Sequence, residues 1–133
     1  MATHRIRELS KEKYTVYLHK ANEFFIAMKN AEEEESWNAA CLCAIHCTIS
    51  TIDAITTFHL GLRSTGQGHE ETTHLIKKTN LESSDEKAKQ YTDIIRLKTK
   101  VEYDAEEPTE KEARRGIAQT ERIYKWAKAH LPG

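Results

Sequence analysis

Glycine and proline are scarce in this sequence, which contains five glycines and two prolines in 133 residues. Three of the glycines, Gly61, Gly66 and Gly68, fall in one short stretch, and Pro108 marks a second. Because these residues most often interrupt helices, their scarcity elsewhere predicts long helices joined at few places. No segment alternates apolar and polar residues as a half-buried strand does, so no strand is predicted.

The sequence also lacks an excess of either charge. Its 20 lysines and arginines against 21 aspartates and glutamates leave a formal net charge of −1. Bulk charge therefore neither favours nor excludes a nucleic-acid partner, and any attraction to phosphate would have to come from a local cluster of basic residues.

Long apolar runs are missing, and cysteines are few. No run approaches the roughly 18 apolar residues that span a bilayer, and no apolar segment follows the first five residues as in a secretory signal. The three cysteines, Cys41, Cys43 and Cys47, lie within two turns of one predicted helix, where backbone geometry disfavours an intrachain disulfide. These features predict a cytoplasmic protein, away from membranes, whose reduced thiols are buried as small apolar groups.

Apolar residues recur at three- and four-residue spacing in four long segments and one short segment. We predict helices over residues 10–31, 37–60, 68–78, 84–103 and 109–131. Ser36 is a predicted cap for the second helix, and Ser83 with Glu86 and Thr109 with Glu112 have the spacing of capping boxes. The sequence therefore predicts a single all-α domain over residues 1–133, an antiparallel up-down bundle of four long helices plus a short one.

The second helix is apolar over more than half of its circumference, so we expect it to contact several other helices. A stripe of polar residues runs along the remainder, with His46, Ser50, Asp53 and Thr57 on one line. Two interpretations stay open at this point. The stripe faces solvent or a partner subunit, or it lines a binding groove.

Residues that bind metals elsewhere do not form a complete set here. Cys43, His46 and Cys47 are close on one helix, but no second Cys/His pair is spaced to complete a tetrahedral site. His69 and His74 are five residues apart, whereas the zincin helix needs four. We therefore predict neither a metal site nor a cofactor.

Two basic features could contact an anion. The loop 61–68 carries Arg63 ahead of a helix start, a geometry that can hold an anion or form a plain turn. Arg96, Lys98 and Lys100 lie near the end of the fourth helix, where the helix dipole alone favours cations, but where a phosphate contact is the alternative.

Several of these segments, in this order and spacing, resemble the HEPN domains, which are small all-helical bundles. The resemblance covers nearly the whole chain. It lies in the stretch 44–55 with His46 and Asp53, in Gly61-Leu-Arg63 and His69, in Lys98 to Tyr103, and in the last helix with Trp126.

The resemblance implies a homodimer whose fourth helices meet at the two-fold axis and, in many members, a metal-independent endoribonuclease. That activity uses an arginine and a histidine separated by four to six residues, which flank the scissile phosphate. Aligning Glu102-Tyr103 with the end of that motif places Arg96 on the arginine and Val101 on the histidine. Arg63 and His69 have the required spacing but lie in a different loop.

The resemblance therefore implies a dimeric binding or interaction module that is not a conventional ribonuclease. It also implies a nucleotidyltransferase partner in a toxin–antitoxin or defence-type system, and a nucleotide or RNA ligand. The alternative is an endoribonuclease with an atypical site built from Arg63, His69 and Arg96. No catalytic residue is assigned, and the candidate ligand-binding residues are His46, Asp53, Arg63, His69, Arg96, Lys98, Glu102 and Tyr103.

Overall fold

The computed structural model describes residues 6–65 and 69–133. Within these ranges five helices and two short strands follow one another along the chain. They are β1 (Ile6–Glu8), a 3-10 turn (Lys11–Lys13), α1 (Tyr14–Glu33), α2 (Trp37–Leu60), β2 (Leu62–Ser64), α3 (His69–Lys78), α4 (Ser84–Tyr103) and α5 (Glu110–Ala129). The predicted all-α fold with four long helices and one short helix is confirmed.

The second helix, α2, lies at the centre of the bundle and contacts α1, α4 and α5. The contact with α1 includes the Cys47 thiol, which donates to the backbone carbonyl of Ala21 at 3.4 Å. The contact with α5 includes a hydrogen bond of 3.0 Å between the hydroxyls of Thr48 and Thr120. The expectation that a helix apolar over most of its surface contacts several neighbours is therefore confirmed.

The helix directions follow from these pairings. Tyr14 lies against Phe58, with ring centroids 5.0 Å apart, and Phe24 lies against His46, so α1 and α2 are antiparallel. α4 and α5 are also antiparallel to each other, since Asp93 pairs with Gln119 and Lys100 with Glu112. α2 and α5 run parallel, since Thr48 pairs with Thr120 and His59 with the backbone carbonyl of His130.

Two clusters of buried side chains form the core. The larger contains Ile52, Ile55, Ile76, Ile123 and Trp126, and the indole N–H of Trp126 donates to the backbone carbonyl of Glu82 at 2.7 Å. The smaller cluster packs Met28 and Ile117 around alanines of α2. These alanines let the helix backbones approach closely, which is how one helix can touch three others.

Two short strands correct the expectation of no strand. β1 and β2 pair antiparallel, with Ile6 opposite Ser64 and Glu8 opposite Leu62. Gly61 ends α2 in the left-handed conformation, with φ of 66°, and its carbonyl accepts a bond from the amide of Leu9 at 3.0 Å. Three residues per strand are too few to give a periodic signal, so only the pairing of two distant segments reveals them.

The predicted helix caps have different outcomes. Thr109 and Glu112 form a complete capping box at the start of α5, as predicted. Within the described part of the chain, the side chains of Ser36 and Ser83 make no capping hydrogen bond, so these two predictions are wrong. Ser83 adopts the left-handed conformation with φ of 67°, which is incompatible with the usual extended geometry of a cap.

The cysteines are free, and Cys41 and Cys47 are buried, while Cys43 is half-buried. Burial raises the pKa of the Cys41 thiol to about 11 and that of the Cys47 thiol to about 12. The prediction that the thiols act as small apolar groups holds for the two buried ones.

The hydropathy of α2 corrects the expectation that no segment approaches a membrane span. By length and composition alone, Trp37–Leu60 is long and apolar enough to cross a membrane, with a mean hydropathy of 1.5. Of the most apolar window, 72% is buried inside the fold, and the core helix of a soluble protein passes the same test. We therefore interpret the hydropathy of α2 as that of a central core helix.

Candidate functional site

The polar stripe of α2 does not face bulk solvent in the bundle. Asp53 is 7% exposed and Thr57 is 0% exposed, and Ser50 is buried as well. Only the side chain of His46, at the end nearest the α1–α2 turn, is substantially exposed, at 40%. Of the two interpretations left open by the sequence, the structure favours a groove for the central part of the stripe.

Asp53 forms an ion pair with Arg63 of β2. The carboxylate oxygen Oδ2 of Asp53 lies 3.3 Å from Nε of Arg63. The guanidinium of Arg63 also lies over the ring of Tyr17 from α1, 5.0 Å from its centroid. Gly61 and the β1–β2 pairing fix β2 directly after α2, and this brings Arg63 back over the helix that carries Asp53.

Two cavities meet at this ion pair, and both are lined by Ile49, Asp53 and Arg63. We call them together the Asp53–Arg63 cleft. The first has a volume of about 500 Å³ and is closed by α3 and α4, through residues that include His69, Tyr91, Lys98 and Tyr103. The second has a volume of about 550 Å³ and is closed by α1, through Tyr17, Lys20, Glu23 and Phe24, together with His46.

The Asp53 carboxylate is held in an unfavourable environment for a charge. Burial raises its pKa from the ordinary value of 3.8 to about 6, although Arg63 and, more weakly, Lys20 act in the opposite direction. Burial also raises the pKa of Tyr91, which a hydrogen bond to Thr72 partly offsets. Asp53 is therefore a buried carboxylate whose pKa of about 6 lies well above that of an exposed aspartate.

Charged and aromatic groups alternate around the rim of the cleft. Nε2 of His46 lies 3.8 Å from a Glu102 oxygen, and the Lys98 ammonium lies 3.9 Å from the other oxygen. Lys98 also lies 6.0 Å from the ring centroid of Tyr103, which is 71% exposed. The His46 ring stacks obliquely against Phe24 at 5.5 Å.

Seven of the eight residues predicted from the sequence lie in or beside this cleft. They are His46, Asp53, Arg63, His69, Lys98, Glu102 and Tyr103. They come from four elements, α2, β2, α3 and α4, which the bundle brings to one side of the molecule.

Arg96 lies elsewhere, and this corrects the arrangement of Arg63, His69 and Arg96 as one site. Its side chain is 78% exposed, pairs with Asp93 at 3.5 Å, and lines a separate groove of about 330 Å³ between α4 and α5. Arg96 precedes Lys98 by two residues, which is a rotation of about 200° around a helix. When Lys98 faces the Asp53–Arg63 cleft, Arg96 must therefore point away from it.

Residues of α1 that line the cleft were not predicted from the sequence. They are Tyr17, Lys20, Glu23 and Phe24, which combine two aromatic and two charged side chains. The spacing of Tyr17, Lys20 and Phe24 places them on one line of the helix, at the border between its apolar and polar faces. The charged Lys20, on a line of the helix that also carries aromatic residues, was the sequence signal that could have identified this side of the cleft.

The cleft is suited to an anionic ligand with an aromatic or apolar part. Its described lining carries the cations Arg63, Lys20 and Lys98, the carboxylates Asp53 and Glu23, and the aromatic rings of Tyr17, Phe24, Tyr91 and Tyr103. Within the described ranges, no three His, Cys, Asp or Glu side chains are placed to hold a metal ion.

Comparisons with known proteins agree with the fold. The HEPN domain family model matches residues 14–130, which include every helix and all of the cleft residues named above. A search of curated proteins found no match.

Proposed function

Because the chain belongs to the HEPN domain family, we propose that it is a binding module that holds a phosphate-bearing ligand, of the nucleotide or RNA type, in the Asp53–Arg63 cleft. The observation that carries this proposal is the position of Arg63, whose guanidinium lies between two cavities. Arginine offers several N–H donors in a fixed planar arrangement that matches phosphate oxygens.

The other cleft residues support a ligand that is more than a bare anion. Lys20 and Lys98 place one further cation in each cavity, on opposite sides of Arg63. Tyr103 is an exposed ring at the rim, and a nucleobase stacks favourably on such a ring. With cavities of about 500 and 550 Å³, the cleft has room for a nucleotide or a short segment of RNA.

We further propose that the protein does not act as a conventional ribonuclease. The end of α4 carries Arg96 and Val101 where the family's ribonuclease motif has an arginine and a histidine, and valine cannot transfer a proton. Arg96 also pairs with Asp93 on a different face from the cleft. Binding without cleavage is therefore the function that this geometry supports best.

The proposed biological setting is that of the family. We propose a cytoplasmic homodimer in which the α4 helices meet across a two-fold axis, with a nucleotidyltransferase as partner in a toxin–antitoxin or defence-type system. Light scattering tests the dimer, since a monomer at tens of micromolar would contradict it. A nucleotidyltransferase gene beside this one would support the pairing.

The binding proposal is tested with a short fluorescein-labelled oligoribonucleotide by fluorescence anisotropy. Replacing Arg63 by Gln removes a charged hydrogen-bond donor, so we expect the affinity to fall about 10- to 100-fold. Arg96→Gln is the matched control, an equal loss of charge outside the cleft, and should change affinity little. Circular dichroism checks that Arg63→Gln folds, and Lys98→Gln provides a second cleft variant. Equal effects of Arg63→Gln and Arg96→Gln would refute binding in the cleft.

One observation favours the alternative of an atypical endoribonuclease: Arg63 and His69 line the same cavity. The test is incubation of the purified protein with total RNA beside a His69→Gln variant. The proposal of binding without cleavage predicts that neither protein cuts the RNA. Cleavage by the wild type that His69→Gln abolishes would replace it with the enzymatic alternative.

A further inference from the structure

Asp53 is a buried group that phosphate binding by itself does not explain. Its carboxylate lies beside Arg63, the residue that would contact the phosphate, and it lines both cavities. A carboxylate repels an anion, so its position next to the proposed phosphate contact opposes binding unless its charge is removed. Binding of an anion in the cleft therefore depends on whether Asp53 is charged.

We propose that a phosphate group binds at Arg63 together with one proton, and that the Asp53 carboxylate is the group that receives this proton. The inference rests on the proposed function, since it concerns the same cleft. In the ligand-free protein, Arg63 balances the charge of Asp53 at 3.3 Å. When a phosphate engages Arg63, that positive charge is shared with the phosphate. A proton from solvent then converts the Asp53 carboxylate into a neutral carboxyl group.

Because Asp53 is buried, its protonation responds strongly to the charges around it. At 7% exposure, water cannot solvate the carboxylate well, so its ionisation depends on the neighbouring cations. Its pKa of about 6 already reflects burial that Arg63 and Lys20 only partly offset. A second negative charge in the same cleft moves the balance further toward the protonated form. Because Asp53 lines both cavities, a proton can reach it from either side.

The other charged groups around Asp53 do not remove this coupling between phosphate binding and the protonation of Asp53. On α1, Lys20 and Glu23 face the cavity as one cation and one anion. On α4, Lys98 lies in the other cavity and is itself balanced by Glu102 at 3.9 Å. Arg63 therefore remains the cation nearest to the Asp53 carboxylate.

The tyrosines and histidines of the cleft are the remaining titratable side chains around Asp53. Tyr17 contacts Arg63 through its ring, and the raised pKa of Tyr91 keeps its hydroxyl neutral at neutral pH. His46 and His69 also line the cavities. These two imidazoles are the competing acceptors of the proton, so the experiment must separate them from Asp53.

The test measures binding of the dinucleotide ApA, whose phosphodiester does not change charge between pH 5 and 9. Titration calorimetry in two buffers of different ionisation enthalpy gives the number of protons taken up per ligand. For the wild type at pH 7.5 we expect close to one proton, and a dissociation constant that rises up to about ten-fold per pH unit above pH 7. A His46→Gln/His69→Gln variant should retain most of this uptake.

Asp53→Asn removes the proposed acceptor while keeping the size of the side chain. It should take up almost no proton, bind ApA up to about 100-fold more tightly than the wild type at pH 8, and match it near pH 5. Wild-type binding without proton uptake, or uptake lost in the histidine variant, would overturn the inference while leaving the proposed function intact. If neither the wild type nor Asp53→Asn bound ApA at any pH, both the inference and the proposed function would be overturned. If Asp53→Asn does not fold, the wild-type and histidine-variant calorimetry decides alone.

Discussion

Replacing Asp53 by Asn should change how the stability of the protein depends on pH, even without a ligand. In the folded protein, burial raises the pKa of Asp53 from 3.8 to about 6. The folded state therefore binds a proton more readily than the unfolded state between these two values. A group whose pKa is raised on folding contributes stability that is fully present below the unfolded pKa and is lost as pH rises through the folded pKa.

The size of the effect follows from that difference in pKa. A difference of one between the folded and unfolded pKa corresponds to about 1.4 kcal/mol, so the limiting contribution of Asp53 is about 3 kcal/mol. Because pH 4.5 still lies above the unfolded pKa of 3.8, the change between pH 7.5 and pH 4.5 is smaller, about 2 kcal/mol. Wild type should therefore gain about 2 kcal/mol relative to Asp53→Asn when the pH is lowered over this range.

The assay is urea unfolding of both proteins at several pH values, followed by circular dichroism. The useful quantity is the difference in free energy of unfolding between the two proteins at each pH. Titrating groups common to both proteins cancel in this difference, and the constant effect of altering the contact with Arg63 drops out of its change with pH. Ser50→Ala is a matched control, since Ser50 is buried on the same polar stripe but does not titrate, and its difference from wild type should be flat. A flat difference for Asp53→Asn, or one of opposite sign, would refute the reasoning.

Three further predictions concern the fold. Thr109→Ala removes a complete capping box and should lower the free energy of unfolding by about 1 kcal/mol in urea titrations. The side chain of Ser36 makes no capping hydrogen bond in the described structure, so Ser36→Ala should lower this free energy by less than half as much. Gly61→Ala places a side chain at φ of 66°, 3.3 Å from the carbonyl of Leu9, and should cost about 1–2 kcal/mol by the same assay, unlike Gly133→Ala at the chain end. Burial raises the pKa of the Cys47 thiol to about 12, so iodoacetamide at pH 8 should not modify this thiol in the native protein but should label it after denaturation. Labelling of Cys47 in the native protein, detected by mass spectrometry, would contradict this prediction.

The architecture was largely predictable because its signals are local. The apolar periodicity and the position of Gly61 defined α2 to within a residue, and the Thr109 capping box marked the start of α5. Each of these signals involves residues less than two turns apart, which interact whatever the rest of the chain does. Ser83 shows where such signals fail, since the backbone there takes a left-handed turn that the residue pattern alone does not reveal.

The candidate site was predictable in part. His46 and Asp53 could be placed on one line of a helix from their spacing, and Arg63 and His69 could be placed in the following loop. The sequence did not indicate that Arg63 would reach back to Asp53, because that contact depends on the pairing of β2 with β1, more than fifty residues earlier in the chain. Nor did it indicate that α1 would close the second cavity with Lys20.

By itself, the sequence determined a helical bundle whose central helix is apolar over more than half of its circumference, because periodicity and helix breakers act over a few residues. Only the tertiary structure decided which face of each helix the cleft would use. It placed Lys98 inside the cleft and Arg96 outside it, although the two are neighbours on α4, since packing against α2 fixes the rotation of that helix. The burial that raises the pKa of Asp53 has the same origin, because α1, β2 and α4 must assemble around α2 before that carboxylate is removed from water.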